Sequence, residues 1–243
     1  MKKSKKKIVI TCCFVFIFII SLLVSLFQIS KSRDFQFFGK LVKSTETNEK
    51  KIALTFDDGP TENTQEILKV LNVLDVKATF FLCGIGIEAR KEDAAAIASN
   101  GHGIGNHSYS HKRMIGVSYN FCKEEIEKTN RLIREVGYKG EIYFRPPYFK
   151  KLFMLPLYLQ NSNITAVTCD VEPETYLGYN ASPNELANNV IDNIKSGSII
   201  LLHPMYKAEN TLIAIEKIVM TLKEKGYTFC TVEELLKLYD KNQ

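Results

Sequence analysis

Four histidines occur in the chain, and three of them, His107, His111 and His203, stand at the ends of short apolar runs. His107 and His111 are four residues apart, close enough for two imidazoles in a turn or helix to reach one ion. Asp57 and Asp58 are adjacent, directly ahead of Gly59-Pro60. That run also reads as a simple turn, because Asp, Gly and Pro all favour turns. Neighbouring carboxylates repel, however, so keeping both ionised favours a bound cation or a nearby arginine. Asp58 with His107 and His111 makes a one-carboxylate, two-imidazole set with positions left for water and substrate, as a catalytic metal site requires. Zinc suits such a set, and Co2+, Ni2+ or Mn2+ fit the same donors. His102 begins a run instead of ending one and is expected to be structural.

Two further charged residues sit at comparable places. Arg145 opens an Arg-Pro-Pro-Tyr run, and Asp170 follows the apolar stretch from Ile164 to Cys169. A buried carboxylate needs a partner. His203, at the end of the next apolar run, is the expected one for Asp170. An Asp that holds a His in one tautomer and raises its pKa makes a general acid.

These groups need elements that bring them together. Seven β-branched or aromatic runs, at 51–56, 77–83, 102–107, 141–146, 164–171, 198–203 and 227–232, alternate with helical patterns. Ile67, Leu68, Leu71 and Leu74 recur at helical spacing, as do Leu212, Ile215, Val219 and Leu222. Ser182-Pro183-Asn184-Glu185 carries the signature of a helix start with a capping box. Alternating strands and helices predict a parallel sheet with crossover helices. The expected fold is a distorted (β/α)7-type barrel, although an open doubly wound sheet reads the same. In a parallel β/α fold catalytic groups gather at the carboxyl ends of strands. Asp57, Asp58, His107, His111, Arg145, Asp170 and His203 all fall at such ends.

With those residues in view, the chain resembles the polysaccharide deacetylases of the NodB-homology family, carbohydrate esterase family 4. The resemblance covers about residues 50–238 and rests on TFDDGP at 55–60, HSYSH at 107–111, RPPY at 145–148, the Asp170 region and LLH at 201–203. It implies a distorted β/α barrel and metal-dependent removal of N-acetyl groups from amino-sugar polymers. Carried over by position, it makes Asp58, His107 and His111 the metal ligands and Asp57 the general base, oriented by Arg145. Asp170 would tune His203, the general acid. The N–H of Tyr148 would hold the oxyanion, and Pro147, Tyr176 and Leu201 would line the substrate groove. The sequence departs from the family at Lys112, where proline is usual, at Phe149, where glycine is usual, and in lacking tryptophan. Tyr176 is the residue placed to stand in for it. These departures bear on substrate choice. The implied substrate is N-acetylglucosamine in peptidoglycan; N-acetylmuramic acid, a chitin-type oligosaccharide or another surface glycan are alternatives, as is a non-catalytic wall-binding domain.

Composition limits the remaining classes. With 243 residues, 45% hydrophobic and 24% charged, the chain suits one large folded domain and not a disordered or collagenous one. Residues 1–7 hold five lysines, and residues 8–29 form an uncharged apolar run. At about 20 residues a helix crosses the hydrocarbon core. The expected order is a cytoplasmic basic segment at 1–7, a transmembrane anchor at 8–29, a linker at 30–50 and an extracellular domain at 51–243. Cleavage as a signal peptide near Ser30 is the alternative. Five of the 32 basic residues and none of the 27 acidic ones lie in residues 1–30, which leaves the remainder formally neutral. The basic balance therefore reports membrane orientation. No nucleic-acid surface and no protein partner is indicated. Cys83, Cys122, Cys169 and Cys230 are scattered, and free thiols are expected in place of a disulfide framework.

Overall fold

The computed structural model describes residues 2–178, 180–206 and 208–241, so Met1 of the basic segment and Tyr179, Lys207, Asn242 and Gln243 of the expected domain lie outside it. A single helix, α1 (Lys2–Ser30), takes in the whole apolar run. Its stretch Ile10–Ser30 is long and apolar enough to cross a membrane, and it is not buried against the rest of the chain except at its end, where Ser30 is buried.

Among the described residues seven strands follow: β1 (Leu41–Val42), β2 (Lys51–Gly59), β3 (Thr79–Leu82), β4 (Gly103–Asn106), β5 (Ala166–Val167), β6 (Ile199–Leu202) and β7 (Thr228–Cys230). All pair in parallel. The larger sheet runs β4-β3-β2-β6, with β7 beside the start of β2, and β1 pairs with β5 apart from it. The described strands make an open five-stranded sheet and a two-stranded one, and these ladders do not by themselves close the expected distorted (β/α)7-type barrel. Among the described residues, the isolated bridges Ser44–Ser198, Asn106–Phe144, Phe144–Ala166 and Val171–Ile200 join their flanks. The run 141–146 contributes only the Phe144 bridges. It ends in Pro146 and is followed by Pro147, neither of which has an N–H to extend a ladder.

Helices cover the outer face for the reasons the spacing predicts. In the helix Thr64–Val73, Ile67, Leu68 and Leu71 are buried. Each such side chain contributes about 1.5–3 kcal/mol when fully removed from water. Ala208–Glu224 buries Leu212, Ile215, Val219 and Leu222 in the same cluster. Pro183–Asn193 starts at Ser182 with both halves of the capping box formed.

The period of two sorts the central strands. Ile52, Leu54 and Phe56 point into the helix-covered core, and Ala53 faces the other cluster with Ile199, Leu201, Phe81 and Val167. Thr55 and Asp57 follow Ala53 in that alternation, as His203 follows Ile199 and Leu201. The side chains that could do chemistry thus point to the face away from the main helical layer.

The segment 31–50, read as a linker, lies folded along the domain. Val42 is buried, Ala166 N–H donates to Lys40 O at 3.0 Å and Thr168 N–H to Val42 O at 2.8 Å. All six cysteines are free thiols.

Candidate active site

Asp57 and Asp58 are neighbours on one strand, and a regular strand would send them to opposite faces. The pairing of β2 with β3 shifts register between Asp57 and Gly59, and Asp58 adopts φ 73°. Asp tolerates this left-handed conformation better than most residues. The irregularity re-aims the second carboxylate, so both line one cleft of about 270 Å³.

Asp57 is 4% exposed, and one of its oxygens lies 2.7 Å from Nη1 of Arg145. Arg145 is fully buried at the end of the 141–146 run. It also donates to Thr55 Oγ1 at 2.9 Å and to the Val167 and Thr168 carbonyls at 3.3 and 3.0 Å. Its guanidinium lies over the Phe81 ring at 3.9 Å. A buried guanidinium with this many acceptors, one of them charged, holds its partner carboxylate in one place.

His107 and His111 sit on an extended turn, not on a helix. Ser108 and His111 have φ 64° and 56°, and Ser108 Oγ accepts from His111 N–H at 3.0 Å. Glu125, from the helix Tyr119–Glu135, accepts from Tyr109 N–H, Ser110 N–H and Ser110 Oγ at 2.8–3.0 Å and pins the turn from behind. His107 Nδ1 lies 2.7 Å from the Arg145 carbonyl, which must receive its proton and leave Nε2 as the lone pair.

Nε2 of His111 and of His107 lie 3.0 and 3.5 Å from Asp58 Oδ1. That oxygen is buried and makes no hydrogen bond of acceptable geometry. An orphaned carboxylate oxygen facing the Nε2 atoms of two imidazoles, with donor atoms all within 4.8 Å of one another, fits a divalent cation. Burial works against ionising Asp58, but the two imidazoles outweigh it and hold its pKa below the ordinary carboxylate range. The three residues expected from sequence to be ligands are thus brought together.

His203 lines the same cleft. Its partner is not Asp170. Glu174 Oε2 lies 2.7 Å from His203 Nδ1, and Glu174 Oε1 accepts from His203 N–H at 3.0 Å. Burial alone would lower the His203 pKa, but Glu174, and beyond it Asp57 and Asp58, raise it to about 9. Asp170 instead accepts from Ser198 Oγ and Ile199 N–H, both at 2.8 Å, which ties the end of the β5 region to the start of β6. Burial raises its pKa and these bonds moderate the shift. The two carboxylates are four residues apart, and Pro173 starts a short helix, Pro173–Leu177, that turns Glu174 back toward His203.

The remaining expected residues divide. Leu201 and Tyr148 line the cleft. Tyr148 lies in the turn Pro147–Phe149 with φ 54° and ψ 17°, and its N–H reaches no backbone carbonyl of the described residues. Pro147 is buried beneath the turn, and its neighbour Pro146 borders the cleft in its place. Tyr176 is 73% exposed and borders an adjoining hollow with Asp170, so it does not take up the tryptophan's expected place in the cleft. His102 lies off the site, where its Nδ1 accepts from Ala78 N–H at 3.2 Å. Burial lowers its pKa to about 4.

Sequence reasoning missed Glu174, Glu172, Glu125 and Arg33. Glu172 and Glu174 were visible as carboxylates in the same run as Asp170. Nothing in the sequence marks Arg33, which reaches the cleft from the segment after α1.

Residues 44–165 match the family model for polysaccharide deacetylase. Over 193 residues the chain is 35% identical to a peptidoglycan-N-acetylglucosamine deacetylase of Bacillus cereus, covering 78% of this chain and 70% of that relative. A crystal structure of a peptidoglycan N-acetylglucosamine deacetylase in complex with a naphthalenyl N-oxidanyl-benzamide matches with a TM-score of 0.75 at 34% identity, covering 80% of this chain and 91% of that one. A CE4 family pseudoenzyme from Bacillus anthracis matches with a TM-score of 0.73 at 28% identity, covering 82% and 69%.

Proposed function

The chain belongs to the polysaccharide deacetylase family, and on that premise we propose that it hydrolyses the N-acetyl groups of N-acetylglucosamine in peptidoglycan, releasing acetate. The observation that carries this reading is the meeting of Asp57, Asp58, His107, His111 and His203 in one cleft.

Asp58, His107 and His111 are the residues that would hold the metal, with zinc favoured by their donor types. When bound there, the ion supplies Lewis-acid polarisation of the acetamide carbonyl and a lowered pKa for water. Asp57, kept in place by Arg145, accepts the proton of the attacking water. The Tyr148 N–H, which reaches no backbone carbonyl among the described residues, is available to the oxyanion. His203, protonated through its contact with Glu174, donates to the departing amine.

The pseudoenzyme among the similar structures makes a purely binding role the second reading. Asp57 and His203, each held by a buried partner of opposite charge, support catalysis over binding alone. In the same reading α1 spans the membrane with its lysine-rich end in the cytoplasm and the domain outside. Lys151 N–H donates to the carbonyl of Ser30 at 2.9 Å, so the end of α1 is stitched to the domain, which favours a retained anchor over cleavage there.

The test is acetate release from purified peptidoglycan by the full chain, with and without a chelator, then with zinc or cobalt restored. Metal-dependent release is expected. Metal bound with no release from peptidoglycan would remove this substrate, and N-acetylmuramic acid and chitin-type oligomers would then be compared.

A further inference from the structure

We propose that Arg33 is a substrate-binding residue, delivered to the cleft by the segment that follows α1, and that it pairs with Glu172 to hydrogen-bond the hydroxyl and acetamide groups of an uncharged amino sugar. The proposal rests on the deacetylase reading for the identity of that sugar. The placement of Arg33 rests on geometry alone.

The backbone around Arg33 is held on both sides. Lys151, only 1% exposed, donates its Nζ to the Ser32 carbonyl, and Thr168 Oγ1 donates to the Arg33 carbonyl at 2.5 Å. The side chain is held as firmly. It forms an ion pair with Glu172, lies 4.6 Å over the ring of Phe149 and reaches Thr175 Oγ1 at 3.5 Å and Cys169 Sγ at 3.7 Å. Glu172 is 6% exposed, and a carboxylate so placed is costly without a cation beside it.

Arg33, Phe149, Glu172 and Thr175 line the same cleft as the Asp58–His107–His111 group and His203. Of the five N–H donors a guanidinium carries, three are directed to Glu172, Thr175 and Cys169, and the side chain is still 23% exposed. Donors therefore remain for a ligand, and Glu172 offers an acceptor next to them. The positive charge is already matched, so the wall does not call for an anion. A matched donor and acceptor side by side in the cleft wall suit the hydroxyl and acetamide groups of a neutral sugar. Phe149, the residue standing where the family has glycine, supplies the surface on which Arg33 rests.

The test uses the full chain in nanodiscs, loaded with zinc, and a defined N-acetylglucosamine oligomer. R33A is expected to raise KM about tenfold, the scale of one hydrogen bond to a charged group, with kcat changed by less than about threefold. R33K, which keeps the charge but loses the planar fork, should recover part of the KM. An unchanged KM, or a loss confined to kcat, overturns the proposal. Equilibrium dialysis of the same oligomer against D57N and R33A/D57N separates the two readings, because it needs no turnover. Tenfold weaker binding by the double variant supports Arg33, and equal binding or no binding by D57N overturns it. Binding by D57N without acetate release by the wild-type chain overturns the deacetylase reading and leaves Arg33 a sugar ligand.

Discussion

Glu174 grips His203 twice, through the imidazole Nδ1 at 2.7 Å and through the backbone N–H at 3.0 Å. One carboxylate thereby fixes both the position of the residue and the tautomer of its ring, leaving Nε2 for the cleft. Asp170, four residues earlier, spends both oxygens on Ser198 and Ile199 and acts on the fold.

E174Q and D170N should therefore part company. E174Q is expected to lower kcat/KM by about 10–100-fold, the range for groups that orient a functional imidazole. D170N should leave kcat/KM within about threefold and lower the unfolding midpoint, since it weakens a buried charge-assisted bond to a backbone N–H. Steady-state kinetics and urea denaturation on both variants check this, and a larger kinetic loss in D170N would reverse the assignment.

The pH dependence follows from the same pair. The His203 pKa is raised from 6.5 to about 9, so the acid form persists through neutrality and is lost as pH rises through that value. A bound cation nearby favours the neutral ring, which makes about 9 the upper position for the alkaline limb of kcat/KM. In E174Q the limb should move down toward the ordinary histidine value. The sign for stability is the same. The imidazolium–Glu174 contribution is complete below about 6.5 and disappears as pH rises through about 9. A limb that stays put in E174Q would detach His203 from it.

Removing the proton-transfer groups themselves should cost more. D57N and H203A are each expected to reduce acetate release by about 10²–10⁴-fold with metal content unchanged. Acetate assays paired with metal analysis distinguish this from a collapsed site.

D58A should lose stoichiometric metal, because Asp58 Oδ1 is the atom that both imidazoles face. H111A should weaken binding, and its side chain, 27% exposed, can be removed without opening the core. Dialysis against zinc followed by elemental analysis reads both. Full retention by D58A would refute the site.

Arg145 has a structural cost as well as a positioning role. R145A leaves Asp57 as an unpaired buried carboxylate and should destabilise the domain by about 3–5 kcal/mol, measured by denaturant unfolding. R145K should fall between, since a lysine cannot serve Thr55, Asp57 and two carbonyls at once.

The local chemistry of this protein could be read from sequence because it depends on short spacings. Asp57 and Asp58 share a cleft with His107 and His111 because three-to-five-residue motifs close strands, and period-two alternation already aims Thr55, Asp57 and His203 the same way. The span of α1, the helix over 64–73 and the capping box at Ser182 are likewise local patterns. Choices between equivalent groups were not legible. Asp170 and Glu174 carry the same chemistry, and only the backbone path through Pro173–Leu177 decides which reaches His203. A distorted barrel and an open sheet read alike in seven apolar runs, because a run does not say whether its neighbours pair along it. At 141–146 only Phe144 does. Arg33 meets Glu172 across 139 residues of chain, and no property of either position announces the other. Contacts of that range exist only once the sheet and its covering segment have packed, so tertiary structure alone decided them.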